Sequence, residues 1–328
     1  MHIPENYLSP STCAVMTVAM VPVWARAIKK VNAELPKEKI PMIGVGAAFS
    51  FLGMMFNIPL PGGTTGHAVG GTLIALLLGP DAACLAVTIA LLIQALLFGD
   101  GGILAFGANC FNMAFLLPYV GYYVYKLIVG NSQSQGRKIA GAAFGSYLGI
   151  NVAALAAAIE FGIQPYLFTD AAGQALYCPY GLGVAIPSML IGHLTIFGLA
   201  EVIYTVAIYS FVNATAKQEQ DVKKTNKKAV YILMAALIAL VPLGLIAEGT
   251  AWGEWGADEI MEITGLSYVP SGLENGWALE SIFPDYTMAG IPDVAAYILS
   301  AIVGVAIAII LFRLFAAAKK EKTDYGTI

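Results

Sequence analysis

The sequence predicts an all-α integral membrane protein: a seven-helix bundle followed by a two-helix hairpin, N-terminus outside and C-terminus cytoplasmic. Three observations predict it. The 328 residues are 58% hydrophobic and 12% charged, against about 25% charged in an ordinary soluble domain, and mean hydropathy is +0.75. Several apolar runs reach or approach the roughly 20 residues that cross a bilayer as a helix. The Lys and Arg residues all fall on one side when the apolar segments are threaded alternately across the membrane.

Nine apolar segments can be marked, at about 10–31, 40–57, 66–79, 82–98, 109–129, 137–161, 184–213, 229–247 and 291–317. The first resembles a signal-peptide core, with a small-residue site near Ala25-Arg26-Ala27. A signal peptide should carry its basic residues in front. Here Arg26, Lys29 and Lys30 follow the apolar run and only Glu5 precedes it, so a retained helix is expected. The third segment is short, and Gly79-Pro80-Asp81 turns it directly into the fourth. With the N-terminus outside, the inner stretches are 32–39, 80–81, 130–136, 214–228 and 318–328. All 17 Lys and Arg lie in or beside them.

Two segments carry small-residue stripes. Gly141, Gly145 and Gly149 recur every fourth residue in the sixth, and Gly44, Ala48 and Gly46, Ser50 do so in the second. Small residues let helix backbones approach closely in lipid, either inside the bundle or against a partner helix. Domain boundaries follow the charge: 1–215 the bundle, 216–228 a charged cytoplasmic linker, 229–328 the hairpin. The hairpin's outer loop, about 248–290, has eight acids, no base and three of the four tryptophans, Trp252, Trp255 and Trp277. Such a loop can gather divalent cations, or be acidic because the bases are kept inside. Its tryptophans suit an interfacial belt.

The chemistry-bearing residues are few. The chain opens Met1-His2-Ile3-Pro4, and a second histidine closes a Gly-rich break, Pro59-Leu60-Pro61-Gly62-Gly63-Thr64-Thr65-Gly66-His67. The threading places both on the outer face, with the loop 98–109. A free α-amine titrates near pH 8 and is readily neutral. The Met1 amine, the deprotonated His2 amide and a His2 ring nitrogen close a five- and a six-membered chelate ring on one ion. His67 supplies a fourth nitrogen. A planar nitrogen set suits Ni(II) or Cu(II) better than Zn(II), which prefers a tetrahedron. Taken alone, Met-His can equally be an incidental start and His67 a loop histidine. Cys13, Cys84, Cys110 and Cys178 show no C-x-x-C spacing, so neither a disulfide framework nor a zinc motif is indicated.

The opening Met1-His2-Ile3-Pro4-Glu5-Asn6-Tyr7-Leu8-Ser9-Pro10 resembles the start of the CbiM/NikM family, the nickel/cobalt substrate-binding (S) components of energy-coupling factor transporters. The loops 58–67 and 97–109, followed by Asn112-Met113, are similar to two further signatures of that family. The resemblance covers about residues 1–215, which the family folds as seven helices. It implies metal bound by the Met1 amine, the amide and ring nitrogens of His2, and His67. It also implies Ni(II) or Co(II) as transported substrate, no organic cofactor, and a complex with a transmembrane coupling (T) subunit and two cytoplasmic ATPase (A) subunits. Residues 229–328 resemble the two-helix CbiN/NikN accessory subunit. The signature Pro-Asp-Gly-Leu-Glu of that subunit appears here as Pro270-Ser271-Gly272-Leu273-Glu274, with Ser in place of Asp.

The expected function is therefore the substrate-binding membrane subunit of an ATP-driven importer, with nickel favoured over cobalt. ATP hydrolysis belongs to the partners, because the chain has no G-x-x-x-x-G-K-[ST] loop. The rival is an ion-coupled permease, which needs paired acids or histidines at the bilayer midplane and repeated halves. Glu201 is one buried candidate. H-E-x-x-H and G-x-S-x-G are absent, which disfavours an intramembrane enzyme. Nothing in the charge pattern suggests nucleic-acid binding. Thr65, Asn109, His193 and Glu201 are weaker candidates. Asn109 is expected to hydrogen-bond a ligand histidine or cap the next helix. His193, roughly 14 Å deep at 1.5 Å per residue, is expected to relay metal or to hydrogen-bond within the bundle. Glu201, deeper still, is expected to serve the transport path or to meet the coupling subunit.

Overall fold

The computed structural model describes residues 1–60, 64–219, 222–247, 249–257 and 259–319. Pro61-Gly62-Gly63, part of the linker, Glu248, Asp258 and the tail with Lys320 and Lys322 lie outside the described residues. Each of the nine apolar segments is helical: α1 Pro10–Glu34, α2 Ile40–Met55, α3 Gly71–Leu78, α4 Pro80–Phe98, α5 from Phe106–Asn109 through Leu117–Val129, α6 Gln135–Gly162, α7 Leu182–Thr215, α8 Lys227–Ile246 and α9 Asp293–Ala318. Six of them, α1, α4 and α6–α9, are long and apolar enough to cross a membrane, which makes this a multi-pass membrane protein. α2 has 16 residues and α3 only 8, short of the roughly 20 that span. The segment expected at 66–79 starts its helix only at Gly71, and residues 67–70 are loop.

Local chemistry explains the boundaries. Ser9 caps α1, its hydroxyl accepting the Thr12 N–H at 3.1 Å, and Pro10 fits the first turn. Gly79 joins α3 to α4 at φ +91°, a conformation that favours glycine. Three helices contain π-turns: α4 at Gln94–Phe98, α5 at Cys110–Leu116 and α7 at His193–Phe197. Such turns re-aim side chains and recur at functional sites. Here they begin at or beside Gln94, Asn109 and His193.

Both small-residue stripes pack inside the molecule. A Cβ on Gly145 would lie 2.5 Å from the Gly121 carbonyl of α5, and one on Gly141 2.9 Å from Val129. In the second stripe Gly44 faces Ala308 and Phe312 of α9, and Gly46 faces Ile74 of α3. The hairpin thus docks on the bundle through α2 and α9. At the end of the bundle away from Met1, Arg26 and Lys30 approach Asp81 at 3.6 and 4.0 Å. There Lys319 donates to the carbonyls of Asn32 and Leu35 at the end of α1, both at 2.9 Å. The basic helix ends therefore gather at one end of the bundle.

Candidate metal centre

The first nine residues form an anchored strap across the other end of the bundle. The carbonyl of Ile3 accepts from Gly102 N–H at 2.9 Å. Asn109 holds Ile3 on both sides, accepting its N–H at 2.8 Å and donating to its carbonyl at 3.0 Å. The Glu5 carboxylate accepts from the N–H groups of Ile103 and Leu104 at 2.6 and 3.2 Å. Burial pushes the Glu5 carboxyl up, and these two N–H groups oppose that shift. Tyr7 hydroxyl donates to Trp255 O at 2.8 Å, and Ser9 N–H to Gln164 Oε1 at 3.0 Å. Near the strap Glu160, 6% exposed, accepts from Asn112 at 2.8 Å.

The strap delivers two buried residues. The Met1 amine donates to Glu254 Oε1 at 3.2 Å. His2, 1% exposed, places Nδ1 3.2 Å from His67 Nε2 and 3.2 Å from Asp100 Oδ1. His67 arrives from a hairpin that the sequence did not announce, β1 Ile58–Leu60 paired antiparallel with β2 Thr64–Gly66. Gly66 is required there, since a Cβ would lie 2.7 Å from the Phe197 ring. His67 Nδ1 lies 3.2 Å from the carbonyl of Ala68. A carbonyl only accepts, so that contact puts the proton on Nδ1 and leaves Nε2 with a free lone pair. Burial first, then His2, the N-terminal amine and His193, push His67 well below the usual imidazole range. The ring is therefore neutral and able to ligate.

Among the described residues no group of three or more His, Cys, Asp or Glu side chains is arranged to hold a metal. A metal here must draw donors from the backbone as well. Two cis nitrogens at about 2.0 Å from one ion lie about 2.8 Å apart, close to the 3.2 Å between His2 Nδ1 and His67 Nε2. His2 Nδ1 is also the nitrogen that completes a six-membered ring with its own amide.

The weaker candidates divide. Asn109 meets neither expectation: it holds the Ile3 backbone rather than a histidine ring, and it makes no side-chain cap. His193 bonds within its helix, Nδ1 to Met189 O at 2.8 Å, and its ring packs on Phe197, which meets Gly66 beside His67. Glu201 is fully enclosed and accepts from the N–H groups of Val69 at 2.7 Å and Gly70 at 3.0 Å. It offers no surface to a partner subunit. It holds the loop just after His67. Thr65 is buried in β2, two residues before His67. Sequence reasoning missed Asp100, Gln94, Glu254 and Tyr286. Asp100 at least stood inside a recognised signature loop. Trp252 and Trp255 pack with Tyr180, and Trp252 also with Phe161, at 5.3–6.2 Å, and the Trp255 carbonyl accepts from Tyr7 of the strap.

Fold and site define a multi-pass helical membrane protein with a histidine pair buried under an anchored chain end. The chain belongs to the CbiM family, whose profile, described as "Cobalt uptake substrate-specific transmembrane region", matches residues 2–219. A PDGLE domain matches residues 226–320. The chain is similar to the "Probable fused nickel transport protein LarMN" of Lactiplantibacillus plantarum, 49% identical over 95% of this chain and 97% of that one. It is 45% identical to the "Fused nickel transport protein NikMN" of Rhodobacter capsulatus, over 94% of both. A crystal structure titled as a transition metal transporter superposes with TM-score 0.62 at 56% identity, covering 65% of this chain and 93% of that one.

Proposed function

We propose that this chain is the substrate-binding membrane component of an energy-coupling factor importer of nickel. The Met1 amine, the His2 amide, His2 Nδ1 and His67 Nε2 take the ion in one plane. The observation that carries this reading is the buried approach of His2 Nδ1 to His67 Nε2 at 3.2 Å, one residue along the chain from the Met1 amine. The names of the two full-length relatives favour nickel. So does chemistry, because planar nitrogen donors suit Ni(II) and affinity rises from Co(II) to Ni(II). Cobalt is the second substrate, supported by the family description.

In this reading the strap end of the bundle faces outside and the basic end faces the cytoplasm, as the positive-inside rule requires. The bundle, 1–215, captures metal, and the hairpin, 229–328, covers it. A transmembrane coupling subunit and two ATPases supply the work. A secondary permease is disfavoured because Glu201, its one candidate midplane acid, is committed to the backbone of Val69 and Gly70.

The test is nickel titration of purified protein beside His2→Ala, His67→Ala and a variant with two residues inserted after Met1. Each should abolish tight binding. Full binding by the inserted variant refutes the chelate, because the insertion moves the amine out of ring-closing position. N-terminal sequencing of the same preparation checks that the amine is that of Met1.

A further inference from the structure

A second set of contacts reaches the histidine pair from the opposite end of the sequence. Segment 281–286, in the loop between α8 and α9, grips residues 97–100. Phe283 N–H donates to Leu97 O at 2.7 Å. Phe98 lies against Phe283 and stacks on Tyr286, with ring centroids 6.2 and 4.7 Å away. The Tyr286 hydroxyl donates to Asp100 Oδ2 at 2.5 Å, and Gln94 Nε2 donates to the same oxygen at 2.9 Å. With Oδ2 held by two donors, Oδ1 is left facing His2 Nδ1 at 3.2 Å.

The backbone around Tyr286 is unusual. Asp285 and Tyr286 have φ of +52° and +60°, a region that bulky L-residues rarely adopt and that persists only where the surroundings impose it. Here Tyr297 packs edge-on at 5.4 Å, and the buried Ser300 hydroxyl donates to the Tyr286 carbonyl at 3.2 Å. The result aims one phenol at one carboxylate. At the far side of the His2 ring, Nε2 is buried with no hydrogen-bond partner among the described residues. Ring orientation is therefore set at Nδ1, by His67 and Asp100.

We propose that Tyr286 is a positioning residue for the metal: by fixing Asp100 it turns the His2 imidazole so that Nδ1 faces His67, and so couples the hairpin to metal affinity. This rests on the site assigned above. In the metal-free protein Asp100 holds the ring. When the cation takes Nδ1, the carboxylate stays beside it as a compensating charge. Without the phenol, Asp100 keeps only Gln94 and is free to rotate Oδ1 away. Glu254, which holds the amine, acts separately.

The test uses the full chain, Ni(II) as probe, and the variants Tyr286→Phe, Asp100→Asn, their double, and Tyr297→Phe as a packing control. Tyr297 donates to Met55 O, not to Asp100. Tyr286→Phe should weaken nickel binding roughly tenfold or more, the range for removing a group behind a ligand. It should shift the visible band of the planar Ni(II) site and lower the metal-free melting temperature no more than Tyr297→Phe does. On the Asp100→Asn background it should change affinity less than about twofold, since the residues act in series. Wild-type affinity in Tyr286→Phe overturns the proposal, as does a loss that adds in full to that of Asp100→Asn. Unimpaired nickel binding by His67→Ala instead brings down the site assignment itself.

Discussion

Replacing Glu201 with alanine tests how the His67 loop is held. Residues 67–70 run between α2 and α7 before α3 begins, so their N–H groups have no partner within that helix. Glu201 of α7 takes those of Val69 and Gly70. The Ser50 hydroxyl of α2 donates to Val69 O at 2.8 Å from the other side. Alanine leaves two buried donors unpaired, at about 1–3 kcal/mol each, or about 2–6 kcal/mol together. If only about 2 kcal/mol of this falls on the loop, the His67-bearing conformation loses about 30-fold in population, at 1.4 kcal/mol per factor of ten. Nickel affinity should fall by that factor while Ser50 keeps the loop loosely in place. Glu201→Gln, which retains one acceptor oxygen at the right depth, should recover part of the loss. The assay is equilibrium nickel titration in detergent with a melting curve on each variant. Alanine binding nickel within about threefold of wild type, in a folded protein, would show that Glu201 does not position the loop.

Two further outcomes are expected. His193→Ala should leave equilibrium nickel binding intact and slow uptake in reconstituted vesicles, because His193 bonds Met189 yet packs on Phe197, whose ring meets Gly66 beside His67; a lost binding site would make it a ligand instead. Gly145→Leu should lower the melting temperature by forcing α5 and α6 apart, a cost of about 1–3 kcal/mol or more, whereas Gly136→Ala, with only Ser134 Oγ at 3.8 Å, should not.

The sequence disclosed the helices because each is an apolar run set off by charged, Gly-rich or Pro-rich breaks, and it read α3 least well because that helix has only 8 residues. It singled out His2 and His67, which the structure brings to 3.2 Å of each other, because only three histidines exist and two fall in irregular segments. It did not disclose the β1–β2 hairpin, since three-residue strands, one with Pro59 at its centre, carry no alternation to read. Asn109 misled for a related reason. An amide beside a helix start suggests a cap or a ligand partner, and nothing local shows that a residue over 100 positions away presents its backbone to it. Tyr286 was illegible because a tyrosine in an acidic loop gives no hint of φ +60° or of the carboxylate it meets. The tryptophans carried an interfacial signal. Their placement against Tyr180 and Phe161 depends on where the strap lies.

A chain end is costly to order, because fixing each residue costs about 1–2 kcal/mol of backbone entropy and an end is held from one side only. The anchors meet this unevenly. Those nearest α1 come from the bundle: Gln164 at Ser9, the N–H groups of Ile103 and Leu104 at Glu5, and Asn109 with Gly102 at Ile3. The Met1 amine is met by Glu254 of the loop between α8 and α9, and His2 by Asp100, which Tyr286 of that loop holds. Tyr7 leans on Trp255 of the same loop. The bundle therefore fixes where the strap runs, while the loop bears on its first two residues, on Met1 directly and on His2 through Asp100. A displacement of that loop would act on Met1, His2 and Tyr7, while Ile3, Glu5 and Ser9 keep their bundle contacts.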